Sequence, residues 1–204
     1  QAADLLLVLG ARLGDIATGG YALLNPQQPP RLIHVHPDPD ELGRVFPPAL
    51  SVLTPAPVMV AALAELPPPN LRPWADWTAE ARADYMAWQH PVPTPGNVRL
   101  EEVVAWLSSH LPEDAIVTNG AGNYAAFLHR YYRFRRYGTQ LAPTSGSMGY
   151  GFPAAIAAKL HDPSRTVVCL AGDGCFQMTL NEMSTAIQHD AAVIVIVANI
   201  LSGP

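Results

Sequence analysis

The apolar run Thr166-Val167-Val168-Cys169-Leu170-Ala171 ends in Gly172-Asp173-Gly174, and a helical pattern and a second apolar run at 193–198 follow. A continuous apolar run closed by glycine is the pattern of a strand covered on both faces. The order strand, helix, strand then demands a parallel sheet. Such sheets gather ligands at the carboxyl ends of their strands. Asp173 therefore comes to a sheet edge, beside glycine amides that no side chain shields. That pairing suits a hard divalent cation bridging to a diphosphate, with the carboxylate on the metal and the amides on phosphate oxygens.

The same alternation organises the rest of the chain, and the expected class is α/β with two parallel-sheet, Rossmann-like units. Residues 1–66 read as the first unit, and an incomplete one. The apolar run 5–9 predicts a strand buried on both faces, 31–35 a second strand, and 58–66 a helix stopped by Pro67-Pro68-Pro69. Residues 67–96 form a proline-rich linker with one helix over 75–88. The second unit spans 97–204. Leu100, Val103, Val104, Leu107 and Leu111 share one helical face. Strands are expected at 115–118, 166–171 and 193–198, and helices at 152–160 and 176–189. Pro153 suits a first turn, where no N–H partner is needed.

Composition excludes several functions. The net charge is −5, and the strongest basic tract is Arg133-Phe134-Arg135-Arg136. A phosphate backbone needs a denser positive face, so nucleic acid is not an expected partner. No apolar run reaches the roughly 18 residues that cross a bilayer, and nothing resembles a signal peptide. Cys169 and Cys175, without metal-ligand spacing, fit a reducing cytoplasm, and for Cys175 the backbone N–H matters more than the thiol. His34 and His36 alternate on one strand, but no third ligand lies nearby in sequence, so they read as ordinary strand histidines. The opening Gln1-Ala2-Ala3-Asp4 runs straight into an apolar strand, which reads as a piece of a longer protein.

Three stretches, in order, resemble the thiamine-diphosphate enzymes of acetolactate-synthase type. They are Gly146-Ser147-Met148-Gly149-Tyr150-Gly151-Phe152-Pro153-Ala154-Ala155, then Gly172-Asp173-Gly174, and upstream Gly10-Ala11-Arg12, Thr18-Gly19-Gly20-Tyr21 and the segment from Ile33 to Arg44. Alone, Gly-Asp-Gly is an ordinary turn; the order and spacing of the set carry the likeness. It implies the second half of a central domain joined to most of a diphosphate-binding domain. It implies Asp173 as a magnesium ligand, with Gly172 in the turn and the amides of Gly174 and Cys175 on the diphosphate. A helix starting near Phe176 would add its positive end. Gly146 would offer its carbonyl to the cofactor's 4′-amino group, and Met148 would be the apolar wedge that bends the cofactor. Asn123 and Tyr124 stand where family members touch the diphosphate.

The pattern also breaks. The family places a second Asn after the position of Asn199, whereas this chain has Ile200, which has no oxygen to give a metal. Asn199 is thus a metal-ligand candidate or a structural residue. The family's activating glutamate comes from a separate pyrimidine-binding domain, and nothing in 1–204 resembles that domain. No catalytic residue is assigned within the chain. The resemblance implies a parent acting on 2-oxo acids by decarboxylation and carboligation, as a homodimer or homotetramer, and a 204-residue chain that is inactive alone. Two other readings stay open: a non-catalytic nucleotide-binding or interaction module, and one subunit of a split enzyme. FAD is implied only by the Arg12 segment, where Leu13-Gly14-Asp15 replaces the usual Phe-Asp-Asp.

Overall fold

The computed structural model describes residues 3–24, 30–70 and 72–199. Gln1, Ala2, Ile200 and residues 201–204, on which expectations above rest, lie outside the described residues. The chain divides into two compact units between Pro73 and Trp74.

In the first unit, strands β1 (Leu5–Leu9), β2 (Arg31–His36) and β3 (Leu50–Leu53) form a parallel sheet in the order β1-β2-β3, followed by helix α1 (Ala56–Ala64). Only the central β2 is well covered, with Leu32, His34, Val35 and His36 buried. The expectation of a two-faced buried strand at 5–9 is corrected. Among the described residues β1 has one neighbouring strand, and Leu5 and Leu7, on the face opposite the buried Val8, are 50% and 40% exposed. β3 escaped the sequence reading because four residues between Pro48 and Pro55 are too short to show a period. α1 begins two residues earlier than its apolar spacing suggests, with Pro57 in the first turn, where its missing N–H costs nothing. The segment after β2 folds into a 3-10 turn, Pro39–Glu41, whose entry Asp38 closes by accepting from the Asp40 N–H at 3.0 Å. His36 Nδ1 accepts from the Asp38 N–H at 3.1 Å, and His34 Nε2 lies 3.0 Å from the Ala11 carbonyl. Both histidines are held by local bonds, and no group of three or more metal-ligating side chains occurs among the described residues.

The second unit runs α2 (Ala75–Trp88), α3 (Leu100–His110), β4 (Ile116–Asn119), α4 (Asn123–Tyr131), β5 (Gln140–Leu141), α5 (Gly151–His161), β6 (Val167–Gly172), α6 (Asp173–Gln177), α7 (Glu182–Gln188) and β7 (Ile194–Ala198). Its four strands are parallel in the order β5-β4-β6-β7. Side chains alternate across β6. Leu170 joins Val104, Leu107, Val117 and Leu128 in a core beneath α3 and α4. Val167, Cys169 and Ala171 join Phe152, Ala155 and Ile156 in a second core beneath α5. Covering both faces explains the unbroken apolar run, and each fully buried leucine-sized side chain contributes about 2 kcal/mol.

One expected helix is two. The predicted helix 176–189 is corrected to α6 and α7, separated by a turn in which the i−4 ladder gives way to i−3 bonds. Thr179 N–H donates to Phe176 O, Glu182 N–H to Thr179 O and Met183 N–H to Leu180 O. The Thr179 hydroxyl also donates to the Gly149 carbonyl at 3.2 Å, tying this turn to the loop before α5. Among the described residues, no helix is long and apolar enough to cross a membrane.

Candidate functional site

A 350 Å³ pocket opens at the carboxyl ends of β4, β6 and β7, lined by Ala121, Gly122, Asn123, Tyr124, Met148, Gly172, Asp173, Gly174, Cys175 and Ala198. Seven of the nine candidate residues named from the sequence meet there: Asn123, Tyr124, Met148, Gly172, Asp173, Gly174 and Cys175. Gly146 and Asn199 are not in its wall.

The turn after β6 sets the geometry. α6 starts at Asp173, not near Phe176, so Asp173, Gly174 and Cys175 are themselves the first-turn residues. Their amides have no partner within the helix, and no side chain caps them. The Asp173 side chain is exposed at the rim. Gly172 is buried against the face of Tyr124, and a methyl group built on it would stand 3.0 Å from two ring carbons. Only glycine lets the strand end approach that ring.

Met148 reaches the turn from the loop before α5. Its terminal methyl stands 3.4 Å from where a side chain at Gly174 would begin. The backbone φ angles of Gly146 and Gly149 are +68° and +79°, a region glycine enters freely, and they flank Met148. Gly149 is also packed against Met178 and Thr179. Gly146 itself is exposed.

Ala198 on β7 pairs in register with Gly172 on β6. Asp173 and Asn199 are the next residue of each strand, so they leave the same end of the sheet side by side. Asn199 is exposed. This relation was hidden in sequence, because register depends on the intervening helices.

Cys175 and Tyr124 join the pocket to the core. The Cys175 thiol donates to the Ala121 carbonyl at 2.9 Å, fastening the β4 loop to the β6 turn. Its thiol thus has a structural part that the sequence reading gave to its amide alone. The Tyr124 ring is 3% exposed, and its hydroxyl is the one buried side-chain polar atom without a hydrogen-bond partner among the described residues. Burial, and second the neighbouring Cys175 thiol, push its pKa above the ordinary phenol value.

These groups suit a magnesium diphosphate. The cation takes few protein oxygens and completes its shell with phosphate and water, which a single carboxylate satisfies. A larger cavity of 690 Å³ lies by Phe152, Phe176, Met183, Ile187 and Val195, but the one charged side chain in its wall is Asp190, which repels an anion. In the first unit, Arg12 points to Glu41 at 3.6 Å.

Comparison with known proteins agrees in both units. Residues 1–63 match the family described as thiamine pyrophosphate enzyme, central domain, and residues 120–199 the one described as thiamine pyrophosphate enzyme, C-terminal TPP binding domain. The large subunit of acetolactate synthase isozyme 1 from Escherichia coli (strain K12) is 32% identical over 98% of this chain and 35% of the relative. The large subunit from Porphyra purpurea is 28% identical over 96% and 34%, and that from Corynebacterium glutamicum 30% identical over 91% and 30%. The chain spans about a third of the length of these curated relatives. With both matched regions in their order and relatives of one kind aligned along nearly the whole chain, the chain belongs to the thiamine-diphosphate-dependent enzymes of acetolactate-synthase-like type.

Proposed function

We propose that the pocket at the β6 turn holds thiamine diphosphate with Mg2+, and that the whole protein decarboxylates a 2-oxo acid and transfers the resulting acyl unit. The observation that carries this reading is the meeting of Asp173, the Gly174 and Cys175 amides, Met148 and Asn123 in one pocket at the sheet's carboxyl end. When bound, the cofactor supplies the electron sink that decarboxylation requires.

Each residue has a share in that task. Asp173 takes the cation. The amides of Gly174 and Cys175, pointing out of the first turn of α6, donate to the diphosphate, with Asn123 and Tyr124 beside it. Met148 would offer the cofactor an apolar wall. The Gly146 carbonyl accepts from the amino group of the pyrimidine. Asn199 stands beside Asp173 as a second oxygen donor. None of the ten wall residues is a glutamate. The acid–base group that activates the pyrimidine is therefore not supplied by this pocket, and we propose that the 204 residues alone do not turn over. The whole protein works as a homodimer or homotetramer in the cytoplasm.

The test is cofactor binding by equilibrium dialysis with and without Mg2+, on the chain and on Asp173→Asn. Binding should need the cation and weaken at least tenfold in the variant, the loss of one charge-assisted contact. Equal binding by the two proteins, or binding indifferent to Mg2+, overturns the site. Carbon dioxide release from pyruvate by the isolated chain overturns the proposed inactivity.

A further inference from the structure

A second polar pocket lies on the outside of the second unit, where α2 meets the end of α4. It encloses 340 Å³. Arg82 and Tyr85 of α2 and Gln89, the residue that caps its end, stand at spacings i, i+3 and i+7 and form one wall. His129 from the last turn of α4, with Tyr132 and Arg133 just beyond it, forms the other. Neighbouring contacts hold the two walls together. Arg130 Nε donates to the Trp88 carbonyl at 2.7 Å, and its guanidinium lies 4.6 Å from the centre of the Trp88 ring.

The charge of this pocket is one-sided. None of its eight wall residues is acidic, and neither Arg82 nor Arg133 makes an ion pair among the described residues. Arg130 is spent on the Trp88 carbonyl and ring, while Arg135 faces Glu113 at 3.8 Å and Arg136 faces Asp114 at 3.9 Å. Basic residues at the end of α4 offset the helix's negative pole, but that pole amounts to about half a charge. Two guanidinium groups exceed it, so a surplus of positive charge faces the cavity.

The remaining walls suit a flat ring. The Arg82 guanidinium stacks 5.3 Å from the centre of the Tyr85 ring. The Tyr85 hydroxyl accepts from the Gln89 amide at 2.6 Å, which fixes that ring in place. Arginine forks match the oxygens of a phosphate or carboxylate, and an aromatic wall stacks on a planar body. A volume near the lower end of ligand pockets, roughly 300 Å³, excludes a dinucleotide.

We infer that this pocket binds a small planar organic anion of nucleoside monophosphate size, with the head on Arg82 and Arg133 and the ring against Tyr85 and Tyr132. The site is separate from the cofactor pocket and owes nothing to it.

Isothermal titration of the purified chain with adenosine 5′-monophosphate tests this, with inorganic phosphate and benzoate as partial probes. Arg82→Ala/Arg133→Ala should weaken binding about a hundredfold, about tenfold for each lost charge-assisted contact. Arg82→Lys/Arg133→Lys, which keeps the charge but loses the fork, should fall between. Gly174→Glu, which puts a carboxylate into the cofactor pocket, should leave binding unchanged. Both arginine variants should keep the wild-type melting temperature, because neither side chain makes an ion pair or hydrogen bond among the described residues and Arg82 only stacks on Tyr85. Absent binding, binding unchanged in the double alanine variant, or binding abolished by Gly174→Glu overturns the inference. So does inorganic phosphate binding as tightly as the nucleotide, because the ring would then contribute nothing.

Discussion

Replacing Tyr124 with Phe should stabilise the ligand-free chain. The hydroxyl is buried without a partner, between the Gly120 backbone and the Cys175 thiol. An unpaired buried hydroxyl costs about 1–3 kcal/mol. Phe keeps the ring, and so keeps the contacts with Gly122 and Gly172. The oxygen's own packing contacts, at about 0.1–0.2 kcal/mol each, offset only part of the gain. The net expectation is about 1 kcal/mol of added stability, or about 3 °C in melting temperature for a unit of this size. Differential scanning calorimetry reads this directly. pH dependence gives a second reading. The pKa of Tyr124 is raised in the folded state, so the unfolded chain releases that proton first. The tyrosine's contribution is complete below pH about 10 and is lost as pH climbs past it. The variant should flatten that alkaline limb. A melting temperature lowered by several degrees, with the alkaline limb intact, would refute the reasoning, because the hydroxyl would then have a partner.

Two further outcomes follow from packing and charge. Gly172→Ala forces a methyl to 3.0 Å from the Tyr124 ring; overpacking should cost about 1–3 kcal/mol in chemical denaturation and displace the Asp173 turn, so cofactor binding should fall with stability. Glu101, fully buried on α3, accepts from the Thr94 N–H at 2.8 Å and from its hydroxyl at 2.7 Å. Burial opposes its charge, but those donations win and hold its carboxyl below the usual range. Its contribution is therefore present above pH about 4 and lost as pH falls through the lowered value. Glu101→Gln should cost about 1–3 kcal/mol near neutrality and shrink the acid limb of a pH–stability curve; an unchanged limb would contradict this.

Much of the second unit could be read from its residues, because each signal there was local. The stripe from Leu100 to Leu111 and the six-residue run of β6 carry their own period, and Gly172-Asp173-Gly174 sits at a strand tip by composition alone. What stayed hidden depended on tertiary partners. The break between α6 and α7 follows from bonds that tie Thr179 to another loop. Leu5 and Leu7 share a face of β1 that stays open while Val8 on the other face is buried, a difference that no run of apolar letters reveals. Met148 was legible as a residue of interest, but its reach to Gly174 depends on the two left-handed glycines around it. Tyr124 was legible as a position near the anion, yet its orphaned hydroxyl needed Gly120 and Cys175 folded around it.

The pairing of Gly172 with Ala198 has a mechanical consequence. β7 is one of the two edge strands of its sheet among the described residues, and an edge strand is held on one side only. An ion shared between Asp173 and its neighbour across the register would act as a clasp on that free border. Occupancy and edge order would then rise and fall together, by mass action. Amide hydrogen exchange along 194–198 would thus report the loading of a pocket that those residues barely touch.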